Sequence, residues 1–180
     1  FRPSEPDTIN LDITTLIVLV ADASRNTPVL KNLIKTILKK KHVVVTKSAL
    51  RHFSSLISLG ASETEMQRAK DMILDVFNGA SAQNDTPISM KIIEDDPHEV
   101  IIPMKGSKIR PYHIGVFGTS HKHKYMTSTS NSWFVSCAQS KEIYLSTFIH
   151  ASFTLANFES GDRRLKNLKK KLSNLKFMVL

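Results

Sequence analysis

One acid stands inside an otherwise apolar opening run. Residues 9–20 read INLDITTLIVLV, and Asp12 is the only charged side chain among them. A carboxylate in such surroundings costs free energy unless donors or a cation pair with it. Two roles fit. Asp12 is either the acid at the carboxyl end of a buried first strand, the edge where open α/β sheets place their active sites, or the cap of a helix opened by Thr14 or Thr15. Two further clusters carry chemistry. Residues 94–99, EDDPHE, set three adjacent acids beside His98. They read as a metal-binding turn or a solvated one, and the solvated turn is favoured because neighbouring side chains diverge. Residues 118–124, GTSHKHK, alternate His121 and His123 with Lys122 and Lys124. In an extended segment both histidines share one side. In a loop the four form a phosphate-facing patch or a solvated basic turn. Cys137 is the single cysteine. It excludes an intramolecular disulfide, sits in an apolar helical pattern that reads as core, and fits a reducing, intracellular setting.

The elements that must position these residues follow from periodicity and punctuation. Residues 1–8 are a lead-in without periodicity. Residues 9–13 form the first strand and 14–23 a short helix. Thr27 and Pro28 open a second helix, with Thr as the cap and Pro in the first turn. Lys39, Lys40 and Lys41 close it, where the macrodipole favours cations. Residues 42–46, HVVVT, are a buried strand, and 48–59 a helix ended by Gly60. Ser62 and Glu65 have the spacing of a capping box for a helix that Gly79 stops. Strands at 88–93 and 100–104 would flank the acidic turn. Residues 105–111 read as a basic loop, 113–117 as a strand, 118–124 as a loop and 125–129 as a strand. Residues 130–132 open a helix over 133–139, and 143–149 form the last core strand. Strands alternating with helices predict an α/β fold of three layers around a mainly parallel sheet.

The net charge of +9 is unevenly spread over the 180 residues. Residues 161–180 hold seven basic side chains against one acid, leaving only +3 for the remainder. A polyanion would therefore meet chiefly this tail, with help from the basic residues of 31–51. The tail also spaces Leu165, Leu168, Leu172, Leu175 and Val179 at alternating steps of three and four. It reads as a basic amphipathic helix that caps the domain, docks a protein partner, or lies on nucleic acid. An apolar share of 41% suits one domain with a sizeable core, or one domain and an appendage. No apolar run reaches the length of a membrane span. The chain opens on Phe1 without a signal-peptide pattern, so it reads as a piece of a longer protein in the cytoplasm or nucleus.

Several segments together resemble the PIN-like domain. They are the strand ending at Asp12 with Thr14 and Thr15 behind it, the helix–strand–helix unit, Phe117-Gly118-Thr119-Ser120, Thr129-Ser130-Asn131 before Phe134, and the closing LSTFIH of 145–150. The likeness covers residues 9–150 and is nearest to an uncharacterised eukaryotic family whose C-terminal domain is PIN-like. The tail of 151–180 lies outside it. The resemblance implies a metal-dependent ribonuclease in which three or four carboxylates hold Mg²⁺ or Mn²⁺ at the carboxyl edge of a parallel sheet. Asp12 matches the first acid. The helix that should supply the second has neither Asp nor Glu, His121 stands in the region of the third, and Asn131 takes the place of the fourth. Asp12, Asn131 and His121 would be the metal ligands, with Asp12 and Asn131 catalytic, but one carboxylate of four makes a poor magnesium site. The expectation is an RNA-associated, degenerate PIN-like domain serving as a binding or assembly module. Lys122, Lys124, Arg163, Arg164, Lys169, Lys170 and Lys171 would contact nucleic acid. An active ribonuclease and a protein-interaction domain are the alternatives.

Overall fold

The computed structural model describes residues 6–22, 27–78, 90–104, 106 and 108–156. Among them the chain runs β1 (Thr8–Leu11), α1 (Ile13–Val20), α2 (Thr27–Leu38), β2 (His42–Thr46), α3 (Lys47–Gly60), α4 (Glu63–Asn78), β3 (Met90–Ile93), α5 (Pro111–His123), β4 (Met126–Thr129), α6 (Ser132–Gln139) and β5 (Thr147–Ile149). The five strands lie in the order β3-β2-β1-β4-β5, and every neighbouring pair is parallel. All carboxyl ends therefore share one edge.

The sequence explains the central strands directly. Val43, Val44 and Val45 of β2 are buried, as a parallel strand covered on both faces requires. In β1 the Asn10 amide donates to Val116 O at 3.1 Å and to Ser120 Oγ at 2.9 Å, both on α5. Ile9 and Leu11 alternate to the opposite face and are equally buried. Helices thus cover both faces, which makes the expected three-layer α/β architecture. The stacked rings of Phe117 and Phe134, 4.3 Å apart, join α5 to α6 within the core.

Local signals set the helix starts. The expected capping box is present: Glu65 N–H donates to Ser62 Oγ at 3.2 Å, and Ser62 N–H to Glu65 Oε2 at 2.8 Å. Glu65 is fully buried and also accepts from the backbone N–H groups of Asp22 and Ala156. One carboxylate thereby ties the end of α1 and the start of α4 to the segment after β5.

Three expectations fail. Residues 100–104 are not a strand but a series of turns that buries Ile101 and Met104, so no hairpin encloses the acidic turn and β3 pairs with β2 instead. Residues 113–124 are not a strand and a loop but most of α5. Arg110 and Pro111 begin this helix in the way a first-turn proline should. Its two glycines serve close approach rather than breakage. A Cβ on Gly115 would collide with the Asp95 carboxylate, and one on Gly118 would lie 2.5 Å from Pro97 Cβ. Finally, the last strand is short and lies at the sheet edge, with Phe148 only half-buried, rather than running through the core from 143. The expected tail helix and the stop at Gly79 lie outside the described residues.

Candidate functional site

The strand order reverses direction between β1 and β4, because the chain first builds outward to β3 and then returns to the other side of β1. Ligands of open α/β sheets bind outside the carboxyl ends at such a point. Asp12 leaves β1 there, its backbone N–H donating to Ser128 O of β4 at 3.0 Å. It also caps α1, accepting from Ile13 N at 2.8 Å. The two roles read from the sequence are therefore one position: the end of the strand is the cap of the helix.

The Asp12 carboxylate is buried, at 1% exposure, and closely supplied with donors. Its Oδ2 accepts from Thr129 Oγ1 at 2.7 Å and from Thr14 Oγ1 at 3.0 Å. Those hydroxyls accept in turn from the backbone: Asn131 N–H donates to Thr129 Oγ1 at 2.9 Å and Ser130 N–H to Thr14 Oγ1 at 2.8 Å. Two backbone N–H groups thus feed two hydroxyls that converge on one oxygen, each bond polarising the next. Burial pushes the Asp12 carboxyl above the ordinary carboxylate value, and the bonds from Thr129, Ile13 and Thr14 offset this only in part.

His150, whose Nε2 lies 2.8 Å from Thr15 Oγ1, feels the charge of this acid; burial lowers the His150 pKa, and its bond to Ala151 O and the Asp12 charge offset this in part. Asn131 caps α6, its Oδ1 accepting from Phe134 N at 3.0 Å, while its amide nitrogen lies 3.2 Å from His113 Nε2. His113 sits in the first turn of α5, and its Nδ1 accepts from Arg110 N at 3.0 Å. Burial, helped by the charges of His52 and Arg110, lowers the His113 pKa to about 4. A protonated ring would also aim a hydrogen at the Arg110 N–H. Tyr112 lies between the His113 ring, 4.1 Å away, and the His52 ring, stacked at 4.4 Å. Burial first, and then the negative charge of Asp12, raise the Tyr112 pKa to about 12. On the outer side Trp133 is 41% exposed, with Lys108 Nζ 5.7 Å above its ring.

The acids that a cation would need are engaged elsewhere. Asp95 accepts from Ser48 N at 3.0 Å and from the Ser48 hydroxyl at the start of α3. Asp96 pairs with Lys122 and, at 2.8 Å, with His123. Glu94 pairs with Lys47. Asp22, at the far end of α1, is held by Arg68, Ser62 and Thr64. Among the described residues no group of three or more His, Cys, Asp or Glu side chains converges in a way that could hold a metal ion. A hard divalent cation does not fit Asp12, whose Oδ2 already takes two hydroxyl donors and whose Oδ1 takes the Ile13 N–H.

His121 does not join Asp12 and Asn131. It lies in the last turn of α5, eight residues beyond His113, which is about 12 Å along a helix axis. There it faces His98, ring centroids 5.1 Å apart, near the start of β4. In a helix His121 and His123 diverge, so they do not share a side as an extended segment would have it. Lys122 and Lys124 belong to that same amino-terminal edge. Arg163, Arg164, Lys169, Lys170 and Lys171 lie outside the described residues. The sequence reading missed His113, Tyr112 and Trp133, and took Thr129 as part of a motif or a strand edge rather than as a donor to Asp12. Pro111, a first-turn signal set beside Tyr112 and His113, was the available clue to two of them.

No described helix is long and apolar enough to cross a membrane. A family model described as a protein of unknown function, DUF1308, matches residues 20–161, from the end of α1 to beyond β5. The stretch includes His113, Trp133 and Asn131, and Asp12 stands ahead of it. The chain belongs to this family of unknown function.

Proposed function

We propose that this chain is a PIN-like domain that has lost the acid set of a nuclease and binds single-stranded RNA across the carboxyl edge of its sheet. The observation that carries the reading is the state of Asp12. At the position where the resemblance places a metal-binding acid, the carboxylate is closed off by Thr14 and Thr129, and the titratable group beside it is His150, a buried histidine whose pKa burial lowers, rather than a second acid. Such a site has little to offer an attacking water, yet its rim suits a nucleic acid strand. Trp133 offers an exposed ring for base stacking, and Lys108 and Arg110 offer charge to phosphates. The net charge of +9, concentrated in residues 161–180, adds sequence-independent attraction.

The test uses the whole chain with a fluorescently labelled single-stranded RNA. Binding should weaken steeply with salt, as counterion release demands. Trp133→Ala should weaken it about fivefold to a hundredfold, the range of one lost base stack, and Lys108→Ala should reduce the salt dependence. Cleavage of the RNA with Mn²⁺ or Mg²⁺ that disappears in Asp12→Asn would replace this reading with an enzyme. Absence of binding at low salt would remove RNA altogether and leave protein partners.

A further inference from the structure

At the opposite edge of the sheet, where β1 and β4 begin, the fold leaves a cavity of about 640 Å³. This is the size of a small-molecule site. His98, His121, Lys122, Lys124, Tyr125 and Tyr144 line it, and among the described residues no carboxylate does. The composition therefore has a direction: cations and ring N–H donors for an anion, and for a flat apolar body the Tyr144 ring and the face of Tyr125 opposite the His123 ring, which stacks on it at 5.4 Å. His98 is already oriented, since its Nδ1 accepts from Val100 N at 3.2 Å. In the neutral ring the proton is then on Nε2, free to donate. The His121 ring meets His98 edge to face, and none of the described residues hydrogen-bonds to it. Tyr144 is 73% exposed. Lys124 holds the left-handed cap of α5, at φ 57°, and its charge has no acidic partner among the described residues. Lys122 is paired with Asp96 on the surface, an exposed pair that costs little to share.

We propose that this cavity is a nucleotide site, taking a phosphate monoester at His98, His121, Lys122 and Lys124 and a base against Tyr125 and Tyr144. Phosphate alone would use only the cationic wall, and a nucleoside only the aromatic one, so the linked ligand should bind far better than either. The site is separate from the carboxyl edge and does not depend on the reading given above for Asp12 and Trp133. Its phosphate has two possible sources, a free nucleotide or the 5′ end of a strand, and both present the same chemistry.

The experiment follows the histidine ring resonances of the full chain by NMR while AMP, adenosine or inorganic phosphate is added, with affinities from calorimetry. The expected result is movement of the His98 and His121 signals with AMP, and affinities at least tenfold weaker for adenosine and for phosphate. His121→Gln and Lys124→Gly should each weaken AMP at least tenfold while leaving the thermal melt cooperative. Trp133→Ala, at the other edge, should leave AMP binding unchanged. Competition by a 5′-phosphorylated oligonucleotide but not by its 5′-hydroxyl form would identify a strand end as the source, and competition by neither a free nucleotide; both support the site. Unmoved His98 and His121 signals at millimolar AMP, or affinities indifferent to both variants, would overturn it. RNA binding at the Trp133 rim could survive that failure, so the two readings fail separately.

Discussion

Thr129→Val is the sharpest probe of how the buried acid is tolerated. The substitution keeps the shape of the side chain and removes one hydroxyl. That hydroxyl donates to Asp12 Oδ2 at 2.7 Å and accepts from Asn131 N at 2.9 Å. A hydrogen bond to a charged group contributes about 1.5–3 kcal/mol, and stranding the Asn131 N–H adds roughly 1 kcal/mol more. The expected loss is about 2.5–4 kcal/mol of folding stability, read as a fall in the urea midpoint at unchanged slope. Thr129→Ser keeps the hydroxyl and should lose only the buried methyl, about 1 kcal/mol. The pH dependence adds a second check. The Thr129 hydroxyl favours the charged carboxylate, so its removal raises the Asp12 pKa further. Above that pKa the variant pays the full cost of an ill-supplied charge, and below it a protonated Asp12 needs the donor less. The difference between wild type and variant should therefore shrink as the solution is acidified. In a double-mutant cycle with Asp12→Asn, the coupling should account for most of the Thr129→Val loss. A loss below about 0.5 kcal/mol, or one that is the same at acid and neutral pH, would refute the view that the hydroxyls hold a charged Asp12.

Three further outcomes follow from the same contacts. His113 is held near a pKa of about 4 in the fold against 6.5 in the unfolded chain, so the unfolded chain takes up the proton first. Stability should fall between about pH 6.5 and 4, by up to about 3 kcal/mol, and His113→Gln should flatten this limb in urea titrations. Gly118→Ala sets a methyl against Pro97 Cβ and against its Cα at 2.9 Å; because backbone cannot move aside, a loss of about 1–3 kcal/mol should appear despite alanine's better helix propensity. Lys124→Gly places glycine at φ 57° and should raise stability by roughly 0.5–1 kcal/mol, measured by the same denaturation.

Much of the fold was legible from short-range chemistry. The β-branched run HVVVT, the Ser62 and Glu65 box, and the proline after Thr27 each act within a few residues, so their elements formed where the sequence placed them. Asp12 was legible as a strand-end acid and as a cap, and proved to be both. What the sequence could not decide was the course of residues 111–123. Its glycines look like breakers when only local propensity is weighed, whereas in the fold they are the flat face on which Asp95 and Pro97 rest. That contact joins residues about twenty apart and exists only after the sheet has assembled. The consequence for the site was large. A loop would have let His121 reach Asp12, but a thirteen-residue helix, about 20 Å long, crosses the sheet and delivers His113 to one edge and His121 to the other. The sequence by itself determined the alternation of strands and helices, the lone acid and the surplus of positive charge, because composition and periodicity carry these. Only tertiary structure decided which histidine faces which end of the sheet, because that depends on the rise per residue of a helix whose stability comes from its packing.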